Sequence, residues 1–305
     1  MEKVLITGGS GFIGSHVADK FIKNNYEVIV VDNLVTGKYE NINGKKLTFI
    51  NEDIRDIKNL EKIFLDNKIS YVIHMAAQVS VSASVEDIKY DAEENIIGFI
   101  NVLELSKKYN IKKVLFSSTA AVYGIPVEVP SNENNKTSPL SPYGLSKLFG
   151  EEYLKMYSKL FGINYIILRY ANVYGPRQSA HGEAGVVSIF NDKIKEGSDI
   201  FIDGDGKQTR DFVYVKDVAN ANYLCTVEEV KNETFNVSTN SEISIVDLFN
   251  TMKKYSDYKK DAIHKEERIG DIRDSRLDNS KLKLMTSWEP KYNLESGLKE
   301  YLQGN

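Results

Sequence analysis

Tyr143 and Lys147 stand four residues apart in Ser141-Pro142-Tyr143-Gly144-Leu145-Ser146-Lys147. In a helix opened by Pro142 in its first turn, that spacing brings both side chains to one face. An ammonium group beside a phenol favours the phenolate, so the pair can serve as a base near neutral pH although free tyrosine titrates near about 10. Taken alone, the spacing fits better a tyrosine packed on a helix next to a solvated lysine. Its chemical content comes from two other stretches. Ser117-Ser118-Thr119 offers three hydroxyls where an apolar run ends, and Thr7-Gly8-Gly9-Ser10-Gly11-Phe12-Ile13-Gly14 sets a glycine-rich turn between Val4-Leu5-Ile6 and the helix-like Phe12 to Lys23.

Gly9, Gly11 and Gly14 read as G-x-G-x-x-G. Missing side chains there permit a tight turn, close approach of backbone N–H groups to a pyrophosphate, and close helix-strand packing. The following helix would point its positive dipole end at the phosphates. A glycine-rich turn can be only a turn, but a second apolar run, Val28 to Val31, ends in Asp32, near the spacing at which a carboxylate meets a ribose 2'-hydroxyl. That carboxylate would repel a 2'-phosphate, and the adjacent Asn33-Leu34-Val35 contains no cation. NAD is therefore expected over NADP, and its cationic nicotinamide would further favour the phenolate of Tyr143. Asp53 would lie near the adenine edge if Leu47 to Ile50 is the third strand; otherwise it is an exposed loop acid.

A net charge of -4 provides no basic field for nucleic acid or an anionic membrane surface. No apolar run approaches a membrane span, and Met-Glu-Lys leads directly into a predicted strand, so a cytoplasmic, soluble protein without a signal peptide is expected. The one cysteine, Cys225, excludes an internal disulfide, and His16, His74, His181 and His264 have no metal-ligand spacing. No metal site is expected. An organic cofactor should carry the chemistry.

The elements that must position these residues follow from strand-length apolar runs at Val4–Ile6, Val28–Val31, Leu47–Ile50, Tyr71–His74, Lys113–Ser117 and Tyr165–Arg169, most of them separated by helical periodicity. The alternation predicts an α/β fold, a doubly wound parallel (Rossmann) sheet with a smaller C-terminal α/β substrate domain. We expect the NAD-binding domain at 1–171 with a return segment at 212–238, and the substrate domain at 172–211 and 239–305. Within the return, Phe212 to Val218 reads as strand and Ala219 to Leu224 as helix. Two helical segments, Ser84 to Tyr109 and Tyr143 to Leu160, are more apolar than one sheet face requires. They form either a two-helix dimer face or simply a cover for the sheet.

The chain resembles the extended short-chain dehydrogenase/reductase family, and within it nucleotide-sugar epimerases of the UDP-glucose 4-epimerase type. The resemblance runs through the glycine turn, Asp32-Asn33, Asp53-Ile54-Arg55-Asp56, His74-Met75-Ala76-Ala77-Gln78, Ser117 to Gly124, Tyr143 with Lys147, Arg169-Tyr170-Ala171-Asn172-Val173-Tyr174-Gly175-Pro176-Arg177 and Gln208-Thr209-Arg210-Asp211-Phe212. It implies NAD held by Gly8, Gly11, Phe12, Ile13, Gly14, Asp32, Asn33, Asp53, Ile54, Ala76 and Gln78. Asn95, Ser117, Tyr143, Lys147, Tyr170 and Val173 would complete that site, although Phe99 stands where a smaller residue is usual after Gly98. It further implies Tyr143 as the base, Lys147 on the nicotinamide ribose, and Thr119 on the reacting sugar hydroxyl. The UDP-sugar would meet Ser118, Thr119, Tyr143, Asn172, Val187, Arg210, Arg268, Asp271 and Ser275, with the two arginines on the pyrophosphate. Arg268 precedes Ile269-Gly270-Asp271, where the family commonly has Pro-Gly-Asp or Pro-Gly-Glu.

Family members that eliminate or decarboxylate resemble one another in carrying an acid just after the Ser/Thr, whereas this chain has Ala120 and Ala121. A methyl group cannot move a proton, so reversible oxidation at C4 is the expected reaction: UDP-glucose with UDP-galactose, extended to the N-acetylated pair because Ser275 is small where a bulky tyrosine would restrict the pocket. The alternatives are a UDP-glucuronate 4-epimerase, another nucleotide-sugar oxidoreductase, and a non-catalytic NAD-sensing module. The module commonly lacks the tyrosine or the lysine. The apolar surface of the two helical segments makes a homodimer paired through a helix bundle the expected assembly.

Overall fold

In the computed structural model, residues 2–179, 185–267 and 272–303 are described. In chain order the strands are β1 (Lys3–Thr7), β2 (Glu27–Asp32), β3 (Thr48–Asn51), β4 (Ile69–His74), β5 (Lys113–Thr119), β6 (Tyr165–Tyr170), β7 (Asn172–Tyr174), β8 (Phe201–Asp203), β9 (Thr209–Arg210), β10 (Phe212–Tyr214), β11 (Glu233–Val237), β12 (Ile243–Ser244) and β13 (Ile263–Lys265). The helices are α1 (Phe12–Lys23), α2 (Ile57–Asp66), α3 (Val81–Glu86), α4 (Ile88–Ala92), α5 (Gly98–Lys108), α6 (Pro142–Phe161), α7 (Val186–Glu196), α8 (Val215–Val227), α9 (Ile245–Lys254), α10 (Ser280–Met285) and α11 (Leu294–Gln303).

Seven strands form one sheet in the order β11-β6-β5-β4-β1-β2-β3, and every pairing in it is parallel. All six strand-length runs lie in it. Their near-continuous apolarity follows from burial on both faces. Side chains alternate across a strand, so Val4, Ile6, Val28 and Val30 pack with Phe21 of α1 and Cys225 of α8, while Leu5, Ile29 and Val31 pack with Leu60 of α2, Val102 of α5 and Leu154 of α6. This two-sided cover is the doubly wound Rossmann architecture the sequence predicts.

A separate core gathers Tyr174, Phe190 of α7, Phe212, Tyr214, Leu248 of α9 and Leu298 of α11. Around it are three two-stranded sheets: β7 with β10, β9 with β12, and β8 with β13. The region is the smaller C-terminal α/β part. Trp288, fully buried, donates from Nε1 to the Asp217 carbonyl at 2.9 Å, fastening this part to α8.

Two local expectations are corrected. The helix expected from Ala219 starts at Val215, and the short strand before it pairs with β7 rather than joining the main sheet; β11 is the strand that returns to the sheet edge. The segment expected as one helix from Ser84 to Tyr109 is α3, α4, a π-helical turn Glu93–Ile97, and α5. Asp87 causes the break, because its side chain caps α4 by accepting from Tyr90 N, a local bond that competes with continuous helix.

Candidate functional site

The parallel sheet presents the C-terminal ends of β1, β2, β4 and β5 to one cavity of about 380 Å³, the position where open α/β sheets bind ligands. At the end of β1, Gly8 has φ 69°, and its N–H reaches Val31 O at 2.8 Å. A Cβ on Gly14 would lie 2.2 Å from Gly8 O, and one on Gly8 would lie 2.6 Å from Ala76 N. These contacts require glycine. They bring α1 so close to the strand ends that Gly11, Phe12, Ile13 and Gly14 border the cavity. Gly11 caps α1 without any side-chain acceptor, so the helix start offers its N–H groups to the cavity, an arrangement suited to a phosphate.

Asp32 ends β2 on the same wall. Its carboxylate accepts from Ser10 N at 2.9 Å and Leu34 N at 2.8 Å, and burial pushes its pKa up against those two bonds. Asn33, Ile54, Ala76 and Gln78 also border the cavity. An uncapped helix start, a fixed carboxylate beyond it and an apolar wall of Val31 and Ile54 fit a dinucleotide.

Three expected cofactor residues lie outside the cavity lining. Asp53 faces Arg55 at 2.7 Å and accepts from Asn33 at 3.1 Å, and the guanidinium beside it holds its carboxyl at about 2. Asn95 spends its amide on Gln78 N and O, on Asp91 and on Ser146 of α6; it joins the Gln78 loop to α6 and does not reach the cavity. Val173 lies in β7, half-buried against the main core. The lining also includes Glu94, Tyr90 and Ala83 from the broken helical segment and Val35 and Thr36 from the loop after β2. Glu94 Oε1 is buried without a hydrogen bond, although Arg55 stands 3.1 Å away, off the bonding direction. No periodicity marked Glu94, because the π-helical turn shifts which side chains face the sheet.

Ser141 caps α6 by accepting from Gly144 N at 3.1 Å, with Pro142 in the first turn. Tyr143 and Lys147 therefore start on the face that meets β5, and both border the cavity with Ser117, Ser118 and Tyr170. Lys147 is 4% exposed and donates to Ser117 O at 3.0 Å. Close approach makes this reach possible: a Cβ on Gly150 would lie 2.4 Å from the Phe116 ring. Tyr170 OH lies 3.1 Å from Ser117 Oγ. Thr119, the last residue of β5, accepts from Ala121 N at 3.2 Å and stands one residue beyond the lining. Ser118 borders the cavity, and its hydroxyl donates to buried Glu151 at 2.6 Å. His74 is no candidate base: it stacks against Phe99 and Phe116, and burial, then Lys147, lowers its pKa well below the usual range.

The expected sugar-side residues gather around β7, β9 and the segment after 271. Asn172 is exposed, with its N–H on Asp211 O at 2.9 Å. Arg210 donates to Thr209 O at 2.8 Å and Ile272 O at 2.7 Å, and Ser275 N reaches Thr209 O at 3.3 Å. Val187 is buried in the smaller core. Arg268 and Asp271 lie outside the described residues. Asp211 anchors this region by accepting from Thr239, Asn240 and Leu277, and burial pushes it up to about 6. Among the described residues no His, Cys, Asp and Glu cluster could hold a metal, and no helix is long and apolar enough to cross a membrane.

A family model described as the NAD dependent epimerase/dehydratase family matches residues 4–238. The chain is 49% identical over 297 residues to a putative UDP-glucose 4-epimerase of Methanocaldococcus jannaschii, covering 97% of this chain and 96% of that one. The crystal structure of a UDP-glucose 4-epimerase with UDP-glucose from Thermotoga maritima superposes with a TM-score of 0.95 at 46% identity, over 99% of this chain and 97% of that one. A UDP-N-acetylglucosamine 4-epimerase from Methanobrevibacter ruminantium M1, in complex with UDP-N-acetylmuramic acid, superposes with a TM-score of 0.93 at 38% identity, over 99% and 97%.

Proposed function

This chain belongs to the NAD dependent epimerase/dehydratase family, and within it we propose a UDP-sugar 4-epimerase that interconverts UDP-glucose and UDP-galactose and also takes their N-acetylated counterparts. One observation carries the reading: Tyr143 and Lys147 border the same cavity as the bare α1 start and Asp32. The near full-length likeness to 4-epimerases supports it. Ala120 and Ala121 carry no group that could abstract a second proton, which favours epimerisation over elimination.

NAD, when bound, supplies the acceptor and donor of hydride at sugar C4. Tyr143 removes the proton of the C4 hydroxyl and later returns one. Lys147, fixed on Ser117 O, keeps a positive charge near the phenol and steadies the tyrosine as base. Thr119 aligns the sugar hydroxyl from the end of β5. The 4-keto sugar must present both faces to the same site, so the hexose is gripped loosely and the diphosphate firmly, the latter by Arg210 and the Asn172 region. Ser275 leaves room for an acetamido group. The exposed stripe on α6 described below is proposed to pair two copies, and a protein that depends on NAD and keeps its one cysteine buried fits a reducing, cytoplasmic setting.

The test is anomeric proton NMR of the purified protein with UDP-galactose or UDP-N-acetylgalactosamine and no added NAD. The glucose-configured partner should grow in from each, and Ser275→Tyr should lose the acetylated substrate while keeping the hexose. No interconversion of any UDP-hexose, even with NAD supplied, would refute the reading; turnover of UDP-glucuronate alone would move it to the uronate epimerases.

A further inference from the structure

Beneath Tyr143 and Lys147 lies a charged cluster that the proposed chemistry does not use. Glu151 of α6 is completely buried and Arg169 of β6 is 3% exposed. Arg169 donates from Nε to Glu151 Oε1 at 2.9 Å and from Nη2 to Oε2 at 2.6 Å, and Ser118 of β5 donates to Oε1 at 2.6 Å. From the other guanidinium nitrogen the chain of bonds continues to Tyr123 OH at 3.0 Å and on to Asn236 at 2.8 Å. Asn236 donates to Asp278 O at 3.1 Å, just past the segment that carries Ser275.

A buried ion pair is weak evidence for stability, since a well-packed apolar pair often serves as well or better. What this one provides is position. Tyr143, Lys147 and Glu151 follow one another at intervals of four, so they share a stripe of α6. Successive residues of β5 hold that stripe: the Ser117 carbonyl takes Lys147, and the Ser118 hydroxyl takes Glu151. Between them Gly150 meets the Phe116 ring with no room for a side chain, which leaves a smooth contact without a steric stop. Two polar locks of opposite sign therefore set how far α6 can slide or roll on β5.

We propose that Glu151, with Arg169 and Ser118, is a positioning group that holds Tyr143 and Lys147 in register with Thr119 at the end of β5. The inference takes the identity of the reaction from the epimerase reading, but its geometry stands without it.

The experiment replaces the pair by apolar residues in the holoenzyme, Glu151→Leu with Arg169→Met. The variant should fold and keep bound NAD, with KM for the UDP-sugar nearly unchanged and kcat down roughly 10²-fold, the size expected for misplacement of about 1 Å. Its crystal structure should show Lys147 drawn away from Ser117 O. Ser118→Ala removes one bond and spares the ion pair; it should lower kcat less, and it decides the matter if the double variant does not fold. Parent-like kcat in either folded variant, or α6 unmoved with the Lys147 contact intact, overturns the inference. So does a Ser118→Ala effect confined to KM, which would mark a substrate contact. An inactive parent would refute the epimerase reading, and the crystal structure would still decide the positioning role.

Discussion

At the scale of single residues, the proposed reaction places its heaviest chemical demand on Tyr143, because one phenol would both take and return a proton. Tyr143→Phe should fold and retain NAD while losing roughly two to four orders of magnitude in turnover, the range of a positioned acid or base. Stopped-flow or endpoint NMR rates with UDP-galactose measure it, and turnover near the parent level would remove Tyr143 from the mechanism. Lys147 cannot substitute for it, being committed to Ser117 O. Ser118 shows how little a residue's type reveals about its role: three hydroxyls stand in a row at the end of β5, yet the middle one, although it borders the cavity, gives its hydroxyl proton to buried Glu151.

Among the elements, α1 serves two parts of the molecule. Its first turn faces the cavity, while His16 in its second turn reaches Pro176 O at 3.0 Å and Ser15 and Asp19 receive Arg177. Thus the cofactor helix is tied to the loop after β7. Burial, with Arg177 adding to it, lowers His16 to about 4 from its ordinary 6.5, so folding holds it neutral. A depressed pKa gives stability that is present above pH 6.5 and lost as pH falls toward 4. His74 acts in the same direction. Relative to pH 7, the parent should lose about 2 kcal/mol of unfolding free energy at pH 5 through His16, and His16→Gln should be less acid-sensitive by that amount. Urea unfolding at the two pH values reads this, and equal pH sensitivity in parent and variant would contradict it.

For the whole molecule, the outer face of α6 remains uncovered. Leu145, Phe149, Met156 and Leu160 are all exposed, and their spacings of four, seven and four place them on one stripe opposite Tyr143 and Lys147. Phe149→Lys should turn a dimer into a monomer in sedimentation velocity; a monomeric parent, or an unchanged variant, would rule out pairing through this face. The features legible in the chain alone were those encoded by contiguous residues: the glycine turn, Asp32 at a strand end, the Tyr143 and Lys147 spacing, and six apolar runs whose alternation with helical periodicity predicted the parallel sheet. Each depends on local periodicity and backbone sterics. Only the tertiary structure decided which groups line the cavity, including Glu94 and not Asp53 or Asn95, and which strand of the return segment, β11, closes the sheet edge. A residue's own element settles which way its side chain points, but what it meets there depends on packing between segments far apart in sequence.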